Sequence, residues 1–200
     1  MIKAGITGGI GSGKSMVCRI FSTLGVSIYN ADDQAKILMN TDPELISGLT
    51  AKFGNSIYNH GILDKKKLAE IIFNDPEMLL YVNKLVHPVV SKDSAIWFQH
   101  HLNEPYALKE AAIFFESGTD SEVDVMITVI APIDVRIRRI MDRDGLSGDQ
   151  VKSRMENQLP DEMKILKSDY IICNDEKKSV IEQVLNLHEV FNTTFVTGLR

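Results

Sequence analysis

The sequence predicts a three-layer α/β fold in which helices cover a mostly parallel five-stranded sheet. Three observations support this prediction. Short apolar runs typical of buried strands alternate with segments of helical periodicity. A glycine-rich loop joins the first apolar run to the first helical segment. A chain of 200 residues with 44% hydrophobic content suits one such domain with a small inserted subdomain.

The apolar runs predict the strands in chain order at 2–6, 26–29, about 106–113, 123–130 and 169–173. The second run is short, but it follows Leu24-Gly25, which reads as a helix stop. Between the second and third runs, residues 43–101 carry apolar residues at three- and four-residue spacing and no convincing strand. We therefore expect a helical insertion at that point.

The loop after the first strand runs from Gly8 to Ser15 and completes the pattern GxxxxGK[ST]. In this motif backbone N–H groups turn toward phosphate oxygens, the lysine reaches the β and γ phosphates, and the hydroxyl holds Mg²⁺. The strand before it and the helix after it favour this interpretation over a chance match in a glycine-containing turn. The predicted fold is thus of the P-loop type that binds nucleoside triphosphates. The predicted nucleotide-binding residues are Gly9, Gly11, Ser12, Gly13, Lys14, Ser15 and Met16, with Ser15 also a metal ligand.

Composition excludes several other classes of protein. With 27 acidic and 22 basic residues, the chain lacks the positive charge expected of a protein that binds duplex nucleic acid. Cys18 and Cys173 are too far apart in the sequence for a CxxC pair, which favours a reducing compartment. We see neither a signal region nor an apolar run of the ~18 residues that a membrane span needs. We therefore expect a cytoplasmic protein with no nucleic-acid, membrane or obligatory protein partner.

Other motifs indicate which class of triphosphate-binding protein this is. The segment Asn83 to Val86 begins like the guanine-reading sequence NKxD but lacks its aspartate. Asp142 to Gly145 spells DxxG, yet it ends a predicted helix instead of following a strand. A motor or repair ATPase would be larger, so a small-molecule kinase fits best. A nucleotide-dependent switch that turns over slowly remains the alternative from a different class.

Arginines on a predicted helix suggest a lid. Arg136, Arg139 and Arg143 fall at i, i+3 and i+7, so they share one helix face. Such groups stabilise charge on a migrating phosphate. The alternative is a solvated face that is balanced locally, for instance by an i,i+4 pair of Arg138 with Asp142.

An acidic pair follows the second strand. Because ligands of open α/β sheets bind at the carboxyl ends of the strands, Asp32 is the best candidate for the base that accepts the proton of a phosphoryl acceptor. An ordinary N-cap of the next helix is the competing interpretation. Asp33 could share that capping role.

Taken in order, these motifs resemble dephospho-coenzyme A kinase, the family that phosphorylates the ribose 3′-hydroxyl of dephospho-CoA in the last step of coenzyme A synthesis. The resemblance extends from residue 1 to about 190 and is strongest at Thr7 to Ser15, which reads TGGIGSGKS. It implies ATP as co-substrate, Mg²⁺, dephospho-CoA as acceptor and Asp32 as catalytic base. Asn30 stands where the family has an aspartate.

In the insertion, Gly61 to Lys65 and Leu85 to Pro88 resemble the acceptor-binding segment, which implies Lys65 and His87 as substrate-binding residues. Lys65 replaces the family's usual arginine and lacks its bidentate geometry. A histidine buried at a helix boundary and bonded to backbone is the other interpretation of His87.

Later segments continue the resemblance. Glu110 occupies a position where the family tends to have an aspartate, and Glu116 matches the last residue of a Pro-Leu-Leu-Phe-Glu segment. Arg139 and Arg143 match the lid arginines, which implies catalytic roles for them beside Lys14 and Asp32. The matches end with the RMxxQ helix from Arg154 to Gln158 and with Asn174, near the family's adenine pocket.

The sequence thus predicts a nucleotide-binding core, an acceptor-binding insertion and a loose tail. The expected bounds are 1–40 and 104–191 for the core, with a lid at about 140–160, then 41–103 for the insertion and 192–200 for the tail. The expected activity is transfer of the γ-phosphoryl group of ATP to dephospho-CoA. Another nucleoside or small-metabolite kinase is the alternative of the same class.

Overall fold

The computed structural model describes residues 1–73 and 75–197. These residues divide into two compact units. One is built from Met1–Asn30 together with the chain from Trp97 onward, and the other is Ala31–Ile96.

The secondary structure alternates as the apolar runs predict. The strands are β1 (Ile2–Thr7), β2 (Ile28–Asn30), β3 (Tyr58–Asn59), β4 (Ile62–Leu63), β5 (Tyr106–Glu110), β6 (Val125–Ile130) and β7 (Tyr170–Cys173). The α-helices are α1 (Lys14–Thr23), α2 (Ala31–Thr41), α3 (Pro43–Phe53), α4 (Lys65–Phe73), α5 (Pro76–His100), α6 (Phe114–Ser117), α7 (Ile133–Asp144), α8 (Gly148–Glu156), α9 (Asp161–Leu166) and α10 (Val180–Thr197).

The first unit is built on a five-stranded sheet in the order β2-β5-β1-β6-β7, and every strand pair in it is parallel. The predicted fold class is therefore confirmed. The central strand β1 pairs along both edges, with Ile6 opposite Glu110 on one side and Ile127 on the other. Because parallel strands share a direction, the carboxyl ends of all five strands meet at one edge of the sheet, where the loop after β1 lies.

Apolar side chains from the sheet, α1 and α10 form the core of this unit. Phe21 and Val17 of α1 and Val184 and Phe191 of α10 are buried there. The ring of Phe191 packs against two tyrosines of the sheet, with centroids 5.0 and 5.3 Å apart. Each such large apolar side chain contributes about 1.5–3 kcal/mol by leaving water. This packing stabilises the sheet at whose carboxyl edge the loop after β1 lies.

The second unit is helical apart from one small hairpin. Strands β3 and β4 pair antiparallel, with Tyr58 opposite Leu63. The prediction that residues 43–101 contain no strand was therefore wrong. Two-residue strands are too short to show the alternation by which a strand is recognised in sequence. The turn between them uses positive φ at His60 and Gly61.

Helix starts in this unit follow ordinary capping rules. The Asp42 side chain accepts a hydrogen bond from the Leu45 N–H at 3.0 Å, and a proline opens α3. Helix α5 contains Pro88 in its interior. The alternative interpretation of a helix boundary at His87 and Pro88 is therefore wrong.

The unit boundaries differ in detail from the expected ones. The compact unit begins at Ala31, because α2 packs against α3 and β4. Helix α10 continues to Thr197, so the part of the expected tail at 192–197 is helical, and residues 198–200 lie outside the described residues. Within the described residues, none of the helices is both long and apolar enough to cross a bilayer.

Candidate active site

The loop between β1 and α1 has the shape of a phosphate-binding cradle. Gly11 and Gly13 have φ values of 81° and 96°, which L side chains rarely adopt. A Cβ added to Gly13 would also collide with the amide nitrogen of Asn174. Helix α1 begins directly after this loop, and its positive N-terminal end faces the bend. The loop can therefore hold an anion through backbone N–H groups.

A cavity of about 230 Å³ brings the loop together with the arginines of α7. Its lining residues are Gly9, Ile10, Gly11, Gly13, Lys14, Ser15, Arg139, Ile140 and Arg143. Five of the predicted nucleotide-binding residues and both predicted lid arginines therefore share one cavity. Of the other two, Ser12 is buried, and Met16 lies in α1 with 44% of its surface exposed.

Lys14 places a positive charge across the loop. Its Nζ donates a hydrogen bond to the carbonyl of Gly8 at 2.8 Å. The ammonium group is thus held beside the loop backbone, where it can neutralise phosphate charge.

A buried carboxylate faces the start of α1. Glu110 ends β5 and is only 8% exposed. One of its oxygens accepts from the Ser15 hydroxyl at 3.5 Å, and the other from the Asn30 side-chain amide at 2.8 Å. An aspartate at position 30 would place a second carboxylate against Glu110, whereas the amide of Asn30 donates to it. This contact explains why an asparagine is compatible with this site.

The Ser15 hydroxyl and the Glu110 carboxylate are hard oxygen donors of the kind that Mg²⁺ prefers. Among residues 1–73 and 75–197 no group of three or more His, Cys, Asp or Glu side chains is placed to hold a metal ion. Mg²⁺ often takes only one or two protein ligands and completes its shell with water and phosphate oxygens. The donor set therefore fits an ion that enters with a nucleotide.

The thiol of Cys18 adjoins the same carboxylate. Burial raises the pKa of Cys18 well above its usual range, and the neighbouring Glu110 raises it further. This side chain is therefore a neutral thiol that packs in the core.

Asn174 connects the end of β7 to the phosphate loop. Its Nδ2 donates to the Ser12 carbonyl at 2.8 Å, and its Oδ1 accepts from Arg139 at 3.1 Å. The sequence indicated only a place near a nucleotide base. The structure adds that this amide supports the loop and orients Arg139.

The arginines of α7 have different environments. Arg139 and Arg143 line the cavity, whereas Arg136 is 5% exposed and bonds the Ile10 carbonyl and Asp161. The expectation that all three would present one ligand-facing surface was therefore wrong, because Arg136 is held by structural partners.

The local charge pairs on this helix also differ from the simplest expectation. Arg138 pairs with Glu176 at 2.6 Å instead of with Asp142. Arg143 forms an exposed pair with Asp144 at 2.7 Å.

The other predicted site residues belong to the second unit. Asp32 is exposed in the first turn of α2. Because α2 begins at Ala31, the N-cap position belongs to Asn30, so Asp32 is not the N-cap. Asp33 pairs with Lys36 at 2.6 Å.

The two residues expected at the acceptor lie further along the second unit. Lys65 is exposed at the first position of α4. His87 is half-buried within α5.

We predict that Gly13→Ala weakens nucleotide binding by at least about tenfold. The alanine would have to adopt the left-handed conformation of Gly13, and its Cβ would displace the amide of Asn174 from the Ser12 carbonyl. Titration calorimetry with a non-hydrolysable ATP analogue measures this change.

Gly25→Ala is the matched control. Gly25 has a φ of 84°, and in the described part of the chain no heavy atom lies within 4 Å of an added Cβ. The control carries similar backbone strain without a collision. Equal loss of affinity in both variants would contradict the role given to Gly13.

Comparison with known proteins agrees with this geometry. A family model described as dephospho-CoA kinase matches residues 2–179. The dephospho-CoA kinase of Porphyromonas gingivalis is 39% identical over 195 residues, which cover 96% of each chain. That of Bacteroides fragilis strain YCH46 is 37% identical over 186 residues, which cover 93% of this chain and 91% of the relative.

Solved structures give the same result. A Thermus thermophilus protein superposes with a TM-score of 0.81 at 30% identity, over 94% of this chain and 96% of its own. The dephospho-CoA kinase of Campylobacter jejuni does so with a TM-score of 0.71 at 25% identity, over 96% and 97%. The resemblance inferred from the motifs is confirmed, and the chain belongs to the dephospho-CoA kinase family.

Proposed function

We propose that this protein transfers the γ-phosphoryl group of ATP to the 3′-hydroxyl of the ribose of dephospho-CoA, giving coenzyme A and ADP. The observation that carries the proposal is the shared cavity of a complete phosphate loop and two lid arginines in a member of this family. Because phosphoryl transfer needs positioning and charge stabilisation more than covalent help from the protein, these are the groups that matter most.

We assign nucleotide binding to the phosphate loop and the residues beside it. The N–H groups of the loop and the Lys14 ammonium hold the β and γ phosphates. Ser15 and Glu110 would hold Mg²⁺, which when bound neutralises charge on the phosphate oxygens. We assign the remaining nucleotide contacts to Met16, which follows Ser15 in α1, and to Asn174, whose amide donates to the Ser12 carbonyl.

The acceptor end of the site is assigned to the second unit. Asp32 takes the proton of the 3′-hydroxyl while the oxygen of that hydroxyl forms a bond to the γ phosphorus. At the same time, the bond from this phosphorus to the bridging oxygen of ADP breaks. Support comes from the exposed carboxylate of Asp32, since Asp33 is paired with Lys36. Lys65 and His87 bind the acceptor, whose diphosphate is an anion that the exposed Lys65 suits.

Arg139 and Arg143 stabilise the charge that develops on the migrating group. They lie on α7, which is capped at its C-terminus by Gly145 with a φ of 68°. Helix α8 then starts with a capping box of Ser147 and Gln150. We assign residues of about 140–160 to a lid that hinges at this glycine. A cytoplasmic location accords with this chemistry, because both substrates of the reaction are soluble metabolites.

An acceptor panel tests the proposal. ADP release is measured with Mg·ATP and either dephospho-CoA, AMP or no acceptor. We expect acceleration by dephospho-CoA alone. Acceleration by AMP would indicate a different small-molecule kinase, and turnover independent of any acceptor would indicate a nucleotide-dependent switch.

A further inference from the structure

The backbone N–H and carbonyl of Ile10, in the phosphate loop, both bond to side chains from distant parts of the chain. The Ile10 N–H donates to Gln158 Oε1 at 2.8 Å, and its carbonyl accepts from Arg136 Nε at 2.9 Å. In a phosphate loop the direction of each backbone N–H decides whether it can reach the anion. Fixing both groups of Ile10 therefore constrains the peptide planes on either side of it.

Gln158 lies on an irregular segment between α8 and α9. Glu116, in the short helix α6, holds that segment in place. The Leu159 N–H donates to Glu116 Oε1 at 2.8 Å, and the Lys164 Nζ lies 3.0 Å from the same oxygen. Lys164 is 0% exposed. A buried ammonium requires a charged partner, so this ion pair ties α9 to Glu116.

Hydrogen bonds and the ion pair of Glu116 hold the segment between α8 and α9 more than packing does. A cavity of about 710 Å³ lies against the segment and is lined by Gln158, Leu159, Pro160 and Asp161 among others. Burial raises the pKa of Glu116, but hydrogen bonds from the Leu159 N–H and from Lys164 lower it, and the net pKa lies below its ordinary value. The carboxylate is therefore ionised at neutral pH and can hold both partners.

We propose that Gln158 is a positioning residue that sets the conformation of the phosphate loop, and that Glu116 and Lys164 act through Gln158 by fixing its segment. This inference rests on the proposed function, since it concerns nucleotide binding in the same site. Gln158 lies within the segment of about 140–160 that is assigned to the lid, two residues after α8 ends at Glu156. The contact between Gln158 and Ile10 thus joins the lid to the loop that holds the phosphates.

The first test uses Gln158→Leu, which keeps the side-chain bulk and removes the acceptor of the Ile10 N–H. We expect the Kd for a non-hydrolysable ATP analogue to rise about tenfold, the usual scale for one lost hydrogen bond that leaves a donor unpaired. The KM for dephospho-CoA should stay within about twofold, because a positioning role confined to the loop leaves acceptor binding intact. Gln99→Leu, at an exposed position of α5, is the matched control and should bind the analogue as the wild type does.

The second test asks whether Glu116 acts through Gln158. Glu116→Ala is combined with Lys164→Met, so that no unpaired charge is left buried and the protein can fold. We expect the pair of substitutions to weaken analogue binding, and to add no further loss when introduced beside Gln158→Leu. Additive losses would overturn the role given to Glu116 and Lys164.

Wild-type affinity in Gln158→Leu, or an equal loss in Gln99→Leu, would overturn the role of Gln158. The Kd measurements with the ATP analogue need no turnover. They are therefore distinct from failure of the proposed function, which would appear as a wild-type protein that binds the analogue but does not phosphorylate dephospho-CoA.

Discussion

Replacing Asp32 with asparagine should lower kcat by at least about 100-fold while nucleotide binding persists, which is the usual scale for loss of a general base. Asparagine keeps the size of the side chain but cannot take a proton from the acceptor. The measurement is steady-state ADP release with saturating dephospho-CoA, together with the Kd of an ATP analogue. An unchanged Kd would assign the defect to the chemical step.

Asp33→Asn is the control for Asp32. It removes the neighbouring carboxylate, which pairs with Lys36, from the same turn of α2. We expect its kcat to stay within about threefold of wild type, since exposed ion pairs contribute little. If Asp32→Asn retains near wild-type turnover, Asp32 serves only as a favourable charge in the first turn of α2.

Replacing Lys14 with methionine should lower kcat/KM for ATP by about 100- to 1,000-fold, the scale for removing one preorganised group that stabilises transition-state charge. Methionine is of similar length but lacks the ammonium group that the Gly8 carbonyl holds at 2.8 Å. The loss should fall on kcat as well as on KM, because negative charge increases on the oxygens beside the breaking bond.

Lys92→Met is the matched control for this variant, because Lys92 is an exposed lysine of α5. It makes the same chemical change outside the cavity and should leave kcat/KM unchanged. A loss of less than about tenfold in Lys14→Met would mean that the loop backbone and Mg²⁺ carry the phosphate charge without this ammonium.

Most of the fold could be predicted from sequence because its strands are contiguous apolar runs separated by helical segments. That pattern is local, and alternation of the two types is typical of a parallel sheet. The β3–β4 hairpin was missed because it has two residues in each strand. Pro88 was a misleading signal, since proline favours a helix boundary but can be accommodated within a long helix.

Some features of the candidate site could likewise be predicted from the sequence, and others could not. The phosphate loop is one contiguous motif, so its residues could be predicted from the sequence. Helical spacing makes Arg136 look equivalent to Arg139, and only the distant partners Ile10 and Asp161 distinguish them. No local pattern connects Ile10 with Gln158, which lies 148 residues away. The RMxxQ motif marked this glutamine without revealing its partner.

The position of β1 in the middle of the sheet has a consequence for synthesis on the ribosome. Its two hydrogen-bonding neighbours are β5 and β6, which end at Glu110 and Ile130. An emerging chain must therefore keep the apolar strand β1 without its native neighbours until β5 and β6 have left the exit tunnel. Nascent chains that expose such strands are prone to aggregate and are typical clients of chaperones. Cotranslational folding of this protein should accordingly be late, with protease resistance appearing only after β6 has emerged.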